Sequence, residues 1–187
     1  PYAYVVDSWA GLYIVDVSDH ITPDSVGSYP GYGFVSVHHS DSLIFISAGS
    51  DGLTILNVAN PANPTYISSY IPSYSIKRSF VSGNYLYLAE GSGGLEIVDI
   101  SDITSPTSAG FLTTSGYVQD VFVEDSLAYI STGTEGLIIA NISNPSSPTI
   151  VAYYECGDYA TGLVVSDTLV YLADGWDGLW VLNTAGM

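Results

Sequence analysis

One feature limits what this chain can fold into more than any other: a repeat of about 42 residues that runs its whole length. The dipeptide Gly-Leu stands at Gly11, Gly52, Gly94, Gly136 and Gly178, at spacings of 41, 42, 42 and 42. The same text follows each time: GLYIVDVS, GLTILNVA, GLEIVDIS, GLIIANIS, GLWVLNTA. An Asx lies five residues after each glycine, at Asp16, Asn57, Asp99, Asn141 and Asn183. A proline lies twelve residues after the first four, at Pro23, Pro64, Pro106 and Pro148. Three markers held in phase are an architecture in which one supersecondary unit is stacked on copies of itself.

Residues 118–154 show the unit. VQDVFVED, LAYIST, LIIANIS and TIVAYYE are short runs rich in β-branched and aromatic residues. They are separated by Asp125-Ser126, by Gly133-Thr134-Glu135-Gly136 and by Asn144-Pro145-Ser146-Ser147-Pro148, all turn formers. No window carries a capped 3.6-residue apolar stripe. Four antiparallel strands per unit, labelled A to D, predict an all-β fold: a β-propeller of four-stranded blades, with strand A at the channel and D at the rim. The blades are expected near residues 1–31, 32–73, 74–115, 116–157 and 158–187. Strands B and C are apolar on both faces, as in Leu137-Ile138-Ile139, because blades stack face to face. The repeated glycine is read as a left-handed turn position, the Asx as an Asx-turn after strand C, and the proline as a stiff entry to D.

Of 187 residues, 19 are Asp or Glu and only two are Lys or Arg, giving a formal charge of −17. The charge argues against nucleic acid and anionic membrane as partners, because no basic patch can be assembled. No stretch is long and apolar enough to insert in a bilayer. The single Cys156 provides neither a disulfide framework nor a zinc site. An acidic, lysine-poor surface rich in Ser, Thr and Tyr points to a secreted or cell-surface setting. The start at Pro1 is read as a removed signal or as a stretch of a longer chain.

GLYIVDVS at 11–18, GLEIVDIS at 94–101, the Asn-Pro-Ser-Ser-Pro loop at 144–148 and the Val-Ser-Gly-Asn turn at 81–84 resemble the LVIVD repeat family. The resemblance covers the whole chain. It implies a β-propeller, usually in secreted or cell-surface proteins of bacteria and archaea, and it implies no reaction. The first unit departs from the pattern at Ala10 and Asp19-His20, and the third has Asp102-Ile103 where an Asx-Pro pair is expected.

Counting strands, the chain enters at strand B and leaves after strand C. Three blades are complete, and the first and last have three strands each. Three arrangements follow: an arc of a larger ring, a five-bladed ring with two thin blades, or a protomer whose incomplete edge blades pair with another copy, giving a multimer or filament.

The only two cations, Lys77 and Arg78, fall near the start of strand A in the third blade, in register with Gln119 and Asp120 in the fourth. Arg78 and Asp120 are expected to face each other at the channel mouth. They form either a structural ion pair or, with Lys77, Gln119 and His38, a site for a small anion or sugar. His38 and His39 are neighbours on a strand, so they point to opposite faces and make a poor metal pair. No residues form a recognisable catalytic set or transition-metal site. Calcium is the one cofactor with any support, from the B–C loop carboxylates Asp7, Asp51, Glu90, Glu135, Asp174 and Asp177, which are otherwise read as solvated. Trp9 and Trp176, at one repeat position in the first and last blades, and the nearby Trp180 are candidates for protein contact or sugar stacking. The expected function is that of a non-enzymatic structural or protein-interaction module, self-assembling through its edge blades. The alternative is a propeller hydrolase or lyase, or a sugar- or small-ligand-binding protein, with its site in the channel.

Overall fold

The structure, a computed structural model, describes residues 1–184. It is all-β apart from two single 3₁₀ turns, at Gly49–Asp51 and Gly175–Asp177. The chain forms a β-propeller fold of five antiparallel sheets, taken strictly in sequence order. The first blade is β1 (Tyr2–Asp7), β2 (Gly11–Asp16) and β3 (Asp24–Tyr29). The second is β4 (Ser36–Ser40), β5 (Leu43–Ser47), β6 (Leu53–Asn57) and β7 (Thr65–Tyr70). The third is β8 (Arg78–Ser82), β9 (Tyr85–Ala89), β10 (Leu95–Asp99) and β11 (Thr107–Leu112). The fourth is β12 (Asp120–Glu124), β13 (Leu127–Ser131), β14 (Leu137–Asn141) and β15 (Thr149–Tyr154). The last is β16 (Ala160–Ser166), β17 (Leu169–Asp174) and β18 (Gly178–Asn183).

The repeat markers act locally. Asp16, Asn57, Asp99 and Asn141 each accept, through Oδ1, the backbone N–H two residues on, at 2.8–2.9 Å. These Asx-turns close strand C and turn the chain towards D. The departures in the first and third units are harmless for the same reason. Asp19 and Asp102 accept the N–H groups of Ile21 and Thr104, as Asn60 accepts that of Ala62. In every C–D pair the register slips at one place, after Ile14, Ile55, Ile97 and Ile139. The bulge coils each blade's outer edge identically.

Four apolar cores lie between consecutive blades. Leu12 and Ile14 pack on Ile44, Ile46 and Leu56, joining the first and second blades. Phe45, Leu53 and Ile55 meet Leu86, Leu88 and Val98. Leu95 and Ile97 meet Val121, Ile130 and Ile138, and Leu137 and Ile139 meet Val165, Val170 and Leu172. Strand C therefore sends alternate residues to the preceding and the following blade, which is why it is apolar on both faces.

Five blades share these four cores, and the outer faces at the two ends are uncovered. Leu179 and Val181 are 65% and 52% exposed, whereas their repeat equivalents Leu137 and Ile139 are 1% and 3% exposed. At the other end Val5 and Tyr13 are exposed, where the equivalent of Tyr13 in the fourth blade, Ile138, is fully buried.

The repeated glycine has two separate requirements. Gly136 and Gly178 both adopt φ of +82°. A Cβ on Gly136 would also lie 2.2 Å from the Tyr154 carbonyl oxygen on strand D, while Gly178, whose blade has no D strand among the described residues, meets nothing within 4 Å. Gly178→Ala should cost about 1–3 kcal/mol from backbone strain alone. Gly136→Ala should cost a further ~1–3 kcal/mol by forcing D outward. Urea midpoints of the two variants check this, and equal losses would remove the D-strand contact as a cause.

Candidate functional site at the channel mouth

The A strands β4, β8, β12 and β16 line the channel. Alternate residues on a strand share a face, so Ser36, Arg78, Asp120 and Gly162 form one tier at the mouth, and His38, Phe80, Phe122 and Val164 form the next. The rings of His38 and Phe80 are 4.9 Å apart, and those of Phe80 and Phe122 are 4.8 Å apart, making an aromatic ladder across three blades. A cavity of about 200 Å³ opens among Ser36, His38, Arg78, Phe80, Asp120 and Phe122.

Asp120 is the anchor of the upper tier. Its carboxylate is buried, accepts the N–H groups of Val121 at 2.9 Å and of Leu163 in the next blade at 3.2 Å, and lies 3.9 Å from Arg78 Nε. Burial pushes its pKa up, and Arg78 and the two backbone donors oppose that shift. The guanidinium itself remains largely exposed. Burial, and after it the adjacent His39, lowers the pKa of His38. His39 turns away to stack on Tyr4 of the first blade at 4.6 Å. The pair diverges, as alternation on a strand requires.

Lys77 and Gln119 occupy equivalent positions and do equivalent work outside the cavity. Lys77 Nζ lies 5.4 Å from the centre of the Tyr117 ring in the fourth blade. Gln119 Nε2 donates to the Tyr159 hydroxyl of the fifth blade at 2.7 Å. Each ties its blade to the next. Of the five channel residues singled out in the sequence, the structure brings Arg78, Asp120 and His38 around one cavity and places Lys77 and Gln119 on the blade seams.

Trp9 and Trp176 project from the B–C loops of the two end blades, 83% and 98% exposed. Their backbone N–H groups are fixed by Asp7 and Asp158 respectively. Trp180 points the other way, 6.1 Å from the Tyr154 ring of the fourth blade. Its strand neighbours Leu179 and Val181 carry the outer face.

The B–C loop carboxylates are not uniformly solvated. Asp174 is fully buried and accepts the N–H groups of Gly157 and Asp158. Glu90 is buried beside Glu96. The six loop carboxylates are spread over five blades, and among the described residues no three His, Cys, Asp or Glu side chains converge as a metal site requires. Cys156 is raised in pKa, first by burial and then by Asp174. The reading of the sequence missed the carboxyl pair Glu90 and Glu96. Its available signal was Glu96 itself, a charge in the middle of a strand C whose counterparts are Tyr13, Thr54, Ile138 and Trp180.

Asp120→Ala should lower stability by about 1–3 kcal/mol, because a buried and a part-buried backbone donor lose their acceptor. Arg78→Ala should change it by no more than ~1 kcal/mol, since the guanidinium is mostly in water. Chemical denaturation of the two variants decides the order, and a larger loss from Arg78→Ala would make the ion pair the principal bond.

Among solved structures, the fold is shared with the computationally designed Ika4 protein (TM-score 0.69, 11% identity, 86% of this chain and 98% of that one). It is also shared with the computationally designed Ika8 protein (TM-score 0.76, 7% identity, 99% of this chain and 56% of that one). A functionally unknown protein from Desulfotomaculum acetoxidans is similar at TM-score 0.77 and 15% identity, over 91% of this chain and 58% of that one. The chain thus spans little more than half the length of the latter two. No curated protein matches it significantly in sequence. The LVIVD repeat matches five times, at residues 1–30, 36–71, 78–114, 115–156 and 157–183, and the chain belongs to the LVIVD repeat family.

Proposed function

We propose that this chain is a non-enzymatic structural and protein-interaction module of a secreted or cell-surface protein, and that its end blades dock onto a second copy of the same chain. One observation carries the reading: the faces left open at the ends are the repeat equivalents of the faces buried at the four inner seams. Leu179 and Val181 stand where strand C meets a following blade. Tyr13 and Val15 stand where it meets a preceding one. The last blade of one copy on the first blade of another therefore continues the existing stack. Such contacts are head-to-tail, so they close a ring or extend as a filament according to the rotation per copy. Apolar sheet faces of this kind are interaction surfaces in soluble proteins. Trp9 and Trp176, at the two ends, lie where such a contact would enclose them. The acidic, lysine-poor surface supports the extracellular setting.

Light scattering on the 187-residue chain should give a multiple of the single-chain mass. The double change Leu179→Asp and Val181→Asp should return it to one chain with stability altered by less than about 0.5 kcal/mol. A single-chain mass for the unaltered protein at every concentration tested sinks the proposal.

A second reading rests on the channel cavity, where Arg78 is largely exposed and the buried Ser36 hydroxyl has no hydrogen-bond partner. It takes a small anion or a sugar. Calorimetric titration with simple carboxylates and monosaccharides tests it. Heat that disappears in Arg78→Ala, with folding intact, supports the site, and no heat from either panel removes it.

A further inference from the structure

Glu90 and Glu96 of the third blade meet Tyr70 of the second at the seam between these blades. Each glutamate is only 1% exposed. Glu96 Oε1 accepts the Tyr70 hydroxyl at 2.5 Å, while Glu96 Oε2 and both oxygens of Glu90 are buried without a partner. Three orphaned carboxylate oxygens in an apolar seam are costly if both groups are charged.

No side-chain cation relieves them. The protein has one Lys and one Arg. Lys77 is over Tyr117, and Arg78 is against Asp120. His38 and His39 face Phe80 and Tyr4. The titratable groups around the pair are Tyr70 on β7 and the two glutamates themselves, with the Tyr74 and Tyr117 rings over the adjacent Gly93 and Gly91. Ser108 on β11 also bonds Tyr70. Two ionised carboxylates hold no hydrogen between them. One proton on Glu90 provides the missing donor to Glu96 and removes one of the two charges.

We propose that Glu90 and Glu96 share one proton beside this seam, so that the joint between the second and third blades is firmest in acid and loosens as the pH rises into alkali. The repeat supports a specific role for the pair. The equivalents of the Tyr70–Glu96 pair at the other seams are Tyr29 with Thr54, Leu112 with Ile138, and Tyr154 with Trp180, none of which carries a carboxyl group. Of the residues at this pair of repeat positions, Glu96 is the one carboxyl group. Burial, with Glu96 second, pushes Glu90 up from 4.5 to about 9. The folded state therefore holds a proton that the unfolded chain has released, and stability falls as pH rises. The contribution is complete below 4.5 and gone above about 9. Within that window the unfolding constant rises by up to about tenfold per pH unit.

The test compares the pH dependence of urea unfolding in the full chain and in Glu90→Gln, whose amide donates to Glu96 without titrating. The wild-type slope between neutral pH and pH 9 should be largely absent in the variant. Infrared spectra of the folded wild type should show a protonated carboxylic-acid C=O stretch at neutral pH that fades in alkali, and this readout decides the matter if Glu90→Gln does not fold. Equal slopes, or no such band at neutral pH, overturn the proposal. Calcium chloride stabilising the wild type but not Glu90→Gln would also overturn it, putting a metal ion in the proton's place.

Discussion

The burial of strand C between two neighbouring sheets is the constraint on which the molecule depends. A blade in isolation is a sheet with two apolar faces, and neither is protected from water. Each seam covers one face of two blades at once, which ties the stability of every unit to its neighbours. The repeated features follow from this. Gly136 lets strand C start close against strand D, and the Asx-turns and the shared bulge give every blade the same coil. Sheets of the same shape then stack at the same spacing.

The polar contacts are arranged along these seams as well. Asp120 reaches the Leu163 N–H, Gln119 reaches Tyr159, Lys77 reaches Tyr117, and Tyr70 reaches Glu96, each from one blade to the next. With so few cations, the protein uses tyrosine hydroxyls and backbone N–H groups where other proteins use salt bridges. Asp120 shows the logic. Two backbone donors and one guanidinium offset the burial of its charge at the channel mouth. At the Glu90–Glu96 pair no such donors are present, and the proton is the remaining means of neutralising it.

The same stacking rule connects fold to proposed function. This repeat buries its faces against its own kind. Leu179 and Val181 at one end, and Val5 and Tyr13 at the other, are exposed where their repeat equivalents Leu137, Ile139, Ile130 and Ile138 are buried.

Much of this was legible in the 42-residue period. The positions of glycine, Asx and proline determined the strand order, the turns and the blade count, because each answers a local backbone requirement that neighbours in sequence supply. The alternation of strand A also sent His38 and His39 to opposite faces, and the phase of Arg78 with Asp120 placed them opposite each other at the mouth. Burial was decided only in three dimensions. Glu90 and Glu135 both lie in B–C loops, yet one is buried and the other exposed, because Glu90 holds the loop position at which Ala48, Thr132 and Asp174 are also packed against the adjoining strands. Likewise, Lys77 and Gln119 left the channel for the seams because Tyr117 and Tyr159, each in the next repeat, offered them partners. A repeat fixes what each unit does for itself. The charge state of a side chain depends on what the adjoining unit brings against it, and that is set by packing.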